Sequence, residues 1–318
     1  MQMNGDFTGE KILVTGGTGF LGGAVLDELI LRGAQPFAAA RKPPPEFLEK
    51  YRDKIVPIAI DLLDQPGLRQ VLKTLQPDKI VHLAGVSGRK TNGNDSLEKI
   101  NFEAAARLLE LAHETRVERI IIIGTADEYG FQTAPLSERL PTEPVSDYAV
   151  SKNKAVKYAL ALHEKYRLPV VILRPFTVYG SGQPPSMFVS QAVECAVKNV
   201  VFEMSKGIQK RDLVFVTDFA DAMMRALKTE NIEGEIFNVG SGEAIALRDL
   251  AEKIWNLAGA DLDRLKIGAR QTNRNELHDT RADISKIKKT MGWKPEISID
   301  EGLKNVIESR RTVEHNKK

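Results

Sequence analysis

A single cysteine, Cys195, stands in 318 residues, so no internal disulfide can form. Histidine is also scarce, at five, and no Cys/His spacing has the pattern of a zinc site. Charge of one sign is also lacking. The 45 Lys and Arg against 43 Asp and Glu leave a formal +2 with scattered signs, which argues against nucleic acid or a membrane surface as partner. Arg310, Arg311, Lys317 and Lys318 then read as a solvated basic tail. No apolar run reaches membrane-spanning length, and Met1 to Glu10 is polar rather than signal-like, so a reducing, cytoplasmic setting is expected. What is present is ordinary for a globular chain: 42% hydrophobic and 28% charged residues, enough for a real core and about two domains.

The most informative stretch is Lys11 to Gly22. Ile12 to Val14 is too short for a helix and reads as a buried parallel strand. Four glycines follow, then a helical pattern in which Phe20, Leu21, Val25, Leu26, Leu29 and Ile30 share a face and which ends near Arg32-Gly33. The spacing fits Gly-x-Gly-x-x-Gly (Gly17, Gly19, Gly22) and also Gly-x-x-Gly-x-x-Gly (Gly16, Gly19, Gly22). Strand, tight glycine turn and helix N-terminus make an anion site where backbone N–H groups and the helix dipole meet a pyrophosphate. A dinucleotide is therefore expected against Gly16, Thr18, Gly19, Phe20 and Leu21.

Gln35 to Ala40 reads as the second strand. An acid about 20 residues beyond the glycines would hold ribose hydroxyls, but Ala40-Arg41-Lys42 stands there. A guanidinium suits a 2′-phosphate, and Lys42 adds charge, so NADP is expected, with NAD as the alternative. Ile55 to Ile60 is the third strand. The Asp61-Leu62 pair after it either accepts from an adenine amino group or caps a helix. A helix at Gln65 to Leu75 precedes strand four at Lys79 to Leu83. Leu83, Ala84 and Gly85 then let backbone lie against a ligand, while His82 reads as a packed core histidine. A long amphipathic helix from Asp95 to Thr115 carries Asn101, whose amide is expected to tie helix to strand. Strand five, Ile120 to Ile123, runs into Gly124-Thr125-Ala126-Asp127-Glu128-Tyr129-Gly130. This alternation, continued to Leu173, predicts an α/β fold with a doubly wound parallel Rossmann sheet. The loops after Val14, Ala40, Ile60, Leu83, Ile123 and Leu173 would line one cleft.

Tyr148-Ala149-Val150-Ser151-Lys152 opens the next helix, with Ser146 or Asp147 as its cap. Tyrosine and lysine four apart share a helix face. A free phenol titrates near ~10, and a neighbouring cation is what would make it an acid–base at neutral pH.

With these motifs in order, the chain resembles the extended short-chain dehydrogenase/reductases, nucleotide-sugar branch. The resemblance rests on Gly16-Gly17-Thr18-Gly19-Phe20-Leu21-Gly22, Asp61-Leu62, His82-Leu83-Ala84, Thr125 before Tyr129-Gly130, and Tyr148-x-x-x-Lys152. It continues through Leu173-Arg174-Pro175-Phe176, Val178-Tyr179-Gly180, Gln209-Lys210-Arg211-Asp212-Leu213, Phe237-Asn238-Val239-Gly240 and Met291-Gly292-Trp293-Lys294-Pro295. It implies that Tyr148 moves a proton at a sugar oxygen, that Lys152 binds the nicotinamide ribose and depresses the tyrosine pKa, and that Thr125 hydrogen-bonds the reacting oxygen. It further implies that Pro175 contacts the nicotinamide through its backbone.

A dinucleotide domain over residues 1–175 and a mainly nucleotide-sugar-binding domain over 176–318, with returns to the first near 211–240, are expected. On the substrate side the resemblance implies Met187 and Phe188 near the base, on a helix from Met187 to Lys198, with Arg211 and Arg274 on the diphosphate. The sequence departs from the family at Thr177, usually asparagine. It departs again at Asp127, where the dehydratase branch has a glutamate one methylene longer. Three reactions share such a site. Arg41 without an acid favours NADPH-dependent reduction of the 4-keto group of a nucleotide-linked 4-keto-6-deoxy sugar. The chain is similar to the enzymes that form CDP-abequose and reduce GDP-4-keto-6-deoxymannose. An NAD-dependent 4-epimerase of the UDP-glucose type is the alternative, a 4,6-dehydratase ranks below it, and a cofactor-sensing scaffold is the non-enzymatic reading. A homodimer is implied through the helices from Asp95 and Ser146. Leu108, Leu111, Tyr158 and Leu162 are open either to that interface or to the core.

Overall fold

The computed structural model describes residues 6–86, 96–271 and 277–315. The chain divides into two compact units, one of Met1–Glu128, Thr142–Arg174 and Ala220–Phe237, the other of Tyr129–Pro141, Pro175–Phe219 and Asn238–Lys318.

The first unit is the doubly wound sheet. In chain order its elements are β1 (Ile12–Thr15), α1 (Phe20–Leu31), β2 (Phe37–Ala40), α2 (Pro45–Lys50), β3 (Val56–Ala59), α3 (Gln65–Leu75) and β4 (Lys79–His82). Then come α4 (Ala104–Ala112), β5 (Arg119–Ile123), α5 (Asp147–Tyr166) and β6 (Val170–Pro175). The seven-stranded sheet runs Ile236–Val239, β6, β5, β4, β1, β2, β3. All pairings from β6 to β3 are parallel. Strand β1 lies between β2 and β4, so the order reverses there, and in such sheets the reversal opens a crevice at the carboxyl ends. Strands β1, β4, β5 and β6 are buried along their whole length, as strands covered on both faces must be, whereas the edge strand β3 alternates.

Local chemistry explains the boundaries. Arg32 closes α1 and Gly33 follows at φ +86°, a left-handed turn that glycine adopts without strain. The Ser146 hydroxyl accepts from Ala149 N at 3.2 Å and so caps α5. For α3 the cap is Asp64, which accepts from Gly67 N at 3.2 Å, while Asp61 accepts from Leu63 N in the turn before it. Asp61 is therefore a turn residue and not the helix cap. The helix expected from Asp95 passes through a π-helical turn, Lys99–Glu103, before α4; Asp95 itself lies outside the described residues. That turn carries Asn101, whose amide donates to Val86 O at 3.1 Å and to Ser151 Oγ at 3.0 Å and accepts from Val86 N at 2.9 Å. Leu108, Leu111 and Leu162 belong to this unit's hydrophobic core with Ile80, Ile120 and Ile172. The core, not an outer face, takes those three leucines.

In the second unit Lys210–Phe215 pairs with Ala244–Ala246, Asp279–Thr280 and Thr177–Tyr179, and Phe202–Met204 pairs with Leu265–Ile267. Helices Phe188–Lys198, Leu247–Ala258 and Ile299–His315 pack around it, with Trp255 and Trp293 fully buried. Among the described residues no helix is long and apolar enough to cross a membrane.

Candidate active site

The turn after β1 is built for close backbone approach. A Cβ at Gly22 would lie 2.2 Å from Gly16 O, and one at Gly16, which sits at φ +71°, 2.6 Å from Ala84 N. Only glycine lets the first turn of α1 come down on β1 and the β4 loop. That first turn has no side-chain cap and no acidic residue, so its N–H groups and dipole are offered to an anion. Thr18 and Gly19 are exposed, and Phe20 and Leu21 partly so. Among the described residues His82 Nε2, at the end of β4, is a buried polar atom without a partner. An open helix N-terminus over a glycine turn, beside the sheet reversal, fits a dinucleotide. Leu83 and Ala84 are half-buried after β4, and Gly85 is exposed. Arg41, Lys42 and Asp61 are exposed at the ends of β2 and β3, and Leu62 is half-buried. Pro175 is the buried last residue of β6.

The chemistry-bearing side chains gather at the end of β5 and the start of α5. Thr125 is buried, and its side chain acts on the Tyr148 phenol against the rise that burial causes. Asp127 N donates to Thr125 Oγ1 at 3.3 Å. Lys152, one turn beyond Tyr148 on α5, is buried. Ser151 Oγ donates to Tyr148 O at 2.8 Å and accepts from Asn101, which steadies that first turn of α5 from outside.

Burial and the neighbouring carboxylates dominate the Tyr148 phenol in the protein alone. Burial pushes the phenol well above its usual range, the Asp127 and Glu128 carboxylates push it further, and Thr125 opposes them. Burial lowers Lys152 to about 8, with Glu128 pulling it back up. The protein alone therefore holds a protonated phenol beside a lysine poised near neutrality.

The second unit carries a cleft of about 460 Å³. Thr177, Met187, Phe188 and Arg211, singled out separately in the sequence, all line it. Met187 caps the helix that Phe188 begins, and the Arg211 guanidinium donates to Lys210 O at 2.9 Å and Leu277 O at 2.8 Å. Asp127 is in the first unit, with Thr125, and not in this cleft. Arg274 lies outside the described residues. Sequence reasoning does not pick out Phe202, Met204 and Arg270, which also line the cleft. Phe202 and Met204 face inward from a three-residue strand, too short for periodicity to reveal.

Fold and site together define a dinucleotide-binding α/β protein of the extended short-chain dehydrogenase/reductase type. Residues 12–240 match the NAD dependent epimerase/dehydratase family, to which the chain belongs. It is accordingly an enzyme of the oxidoreductase type found in that family. A UDP-glucuronate 4-epimerase from Thermodesulfobacterium geofontis is 29% identical over 261 residues, 80% of this chain and 79% of that protein. The crystal structure of UDP-glucose 4-epimerase from Thermotoga maritima with UDP-glucose superposes with a TM-score of 0.86 at 25% identity, covering 95% of this chain and 99% of the other. UDP-glucuronic acid 4-epimerase from Bacillus cereus, with UDP-glucuronic acid and NAD, gives a TM-score of 0.85 at 27% identity, covering 95% and 99%.

Proposed function

We propose that the protein is an NAD(P)-dependent nucleotide-sugar 4-epimerase. The observation that carries this is buried Thr125 acting on the Tyr148 phenol, with buried Lys152 one turn along the same helix. Membership of the family and the likeness to three 4-epimerases support it over a reductase.

When bound, the dinucleotide supplies a hydride acceptor and donor and, oxidised, a positive charge that favours tyrosinate. Tyr148 Oη takes the proton of the sugar O4 as C4 is oxidised, and returns it when C4 is reduced on the other face. Thr125 Oγ1 holds that oxygen against Tyr148. Lys152, as an ammonium, stabilises the deprotonated phenol and binds the nicotinamide ribose. Gly16 to Leu21, Leu83, Ala84, Gly85 and Pro175 hold the dinucleotide. The Asp61-Leu62 turn receives adenine, Arg211 and Arg274 the diphosphate, and Met187 and Phe188 the base. Thr177 lines the sugar-nucleotide cleft, and Asp127 faces the sugar beside Thr125. A cytoplasmic homodimer belongs to the same proposal, with half-buried Phe102 and Tyr158, their rings 6.0 Å apart edge to face, as its candidate contact.

A second reading has its own observation. Strand β2 ends in Ala40, and exposed Arg41 and Lys42 follow where a ribose-binding acid would stand, which favours NADPH and reduction of a 4-keto-6-deoxy sugar. The experiment is to incubate the protein with NAD and UDP-glucose or UDP-glucuronic acid and follow the 4-epimer by proton NMR. Accumulating 4-epimer that Tyr148→Phe reduces about 1,000-fold is the expected result. NADPH consumption with a 4-keto-6-deoxy nucleotide sugar, and no epimer, would install the second reading. Full turnover by Tyr148→Phe would end both.

A further inference from the structure

Glu128 has no role in the chemistry above, yet it is the most completely buried carboxylate beside it. Thr125-Ala126-Asp127-Glu128 has the spacing of a capping box but makes only its glutamate half, since Thr125 Oγ1 takes Asp127 N. Glu128 N donates to Thr125 O at 3.1 Å, and Glu128 Oε1 accepts from Thr125 N at 2.7 Å. An ordinary capping-box glutamate lies at the surface. This one is 0% exposed, and its Oε2 accepts from Arg174 Nη2 at 2.8 Å, with the arginine 1% exposed. A hydrated cap would serve a four-residue 3₁₀ turn equally well. Taking a carboxylate and a guanidinium out of water is costly even when they pair, so a cap alone does not account for the burial.

We propose that Glu128 is a positioning residue of the Thr125–Tyr148–Lys152 site. One carboxylate oxygen accepts from the Thr125 main chain, and the other is paired with Arg174, which fixes the carboxylate where it favours the Lys152 ammonium. Thr125 is the residue whose side chain acts on Tyr148, so the anchor acts one residue from the reacting oxygen. The charge acts on Lys152 directly: burial lowers the ammonium to about 8, and Glu128 is what opposes the fall. The other titratable groups facing the pair are Asp127 against Tyr148 and His82, on β4, against Lys152. His82 is neutral above about pH 3, so it cannot replace the charge of Glu128. Asp127 is half-exposed, and its charge acts on Tyr148, whereas Glu128 is the carboxylate that acts on Lys152.

The proposal rests on the catalytic assignment of Tyr148 and Lys152, and its test is independent of turnover. Glu128→Gln keeps the size and the acceptor for Thr125 N but removes the charge. Lys152 is titrated by NMR of carbon-13-labelled lysine side chains, its signal identified by its absence in Lys152→Met. In Glu128→Gln the Lys152 midpoint should fall by about one pH unit. The alkaline limb of kcat against pH should move down with it, and KM should hold within about twofold, as for an interaction made in the transition state. A Lys152 midpoint equal to the wild-type value overturns the proposal. Should Glu128→Gln fail to fold, the apolar pair Glu128→Leu with Arg174→Leu replaces both buried charges together, and the same midpoint decides. If Tyr148→Phe retains turnover, the catalytic assignment fails whatever the midpoint does.

Discussion

Thr15 Oγ1 lies 2.8 Å from His82 Nδ1, joining the register partners that end β1 and β4. Both are 1% exposed, and the pair closes the sheet at the reversal of strand order. Burial, reinforced by the Lys152 charge, lowers His82 from 6.5 to about 3. Between those values the unfolded chain binds a proton that the folded chain refuses, so stability falls as pH drops below 6.5. Urea unfolding over a pH series should show wild type losing up to about 1.4 kcal/mol more per pH unit in this window than His82→Gln. Parallel pH profiles for the two proteins would contradict this.

Lys152 carries the same conflict with the opposite biological value. Its folded pKa of about 8 lies below the usual lysine value of 10.5, so below pH 8 a charge is held where burial opposes it. That cost disappears as pH rises, and stability should increase from pH 8 toward 10. Lys152→Met keeps the stem and drops the charge. It should abolish turnover yet raise unfolding free energy at pH 7 by about 2 kcal/mol. A calorimetric melt lower than wild type would show that the ammonium is compensated after all.

Gly22→Ala puts a methyl group 2.2 Å from the Gly16 carbonyl oxygen, against backbone that cannot swing aside. The expected loss is about 2–3 kcal/mol in chemical denaturation, from overpacking where α1 meets the turn. Dinucleotide affinity should fall with it, since the same contact shapes the anion site. Gly19→Ala, which meets only Gly16 O at 3.3 Å, should cost much less stability.

Cofactor choice turns on Arg41. Fluorescence titration with NADPH and NADH should show tighter NADPH binding if Arg41 meets a 2′-phosphate, and Arg41→Ala should remove that preference at a cost of about tenfold or more. Equal affinities in wild type would assign the site to NAD and strengthen the epimerase proposal.

Much of the first unit was legible because its signals are local. A glycine turn and a capping serine at Ser146 each act within one or two turns of chain and sit where the spacing puts them, whereas of the six apolar residues expected on one face of α1 only Val25, Leu26 and Leu29 are buried. The four cleft residues Thr177, Met187, Phe188 and Arg211 were legible singly, by resemblance, but not as one cavity with Phe202 and Met204. Asp61 and Asp64 illustrate the limit of local reasoning. Both are acids after a strand, and only the geometry of the turn decides that Asp64 receives the helix N–H.

The order of side chains along the chain determined the strand–glycine–helix anion site and the placing of Tyr148 and Lys152 on one helix face, since both depend on backbone periods shorter than ten residues. Tertiary structure alone decided how those groups are charged. Glu128 and Arg174 meet across 46 residues, and Thr15 and His82 across 67. Burial, a property of the packed unit, raises Tyr148 and lowers Lys152 and His82. The same packing drew Leu108, Leu111 and Leu162 into the core, because apolar area is removed from water wherever the fold offers cover, and one helix pattern serves core and outer face alike.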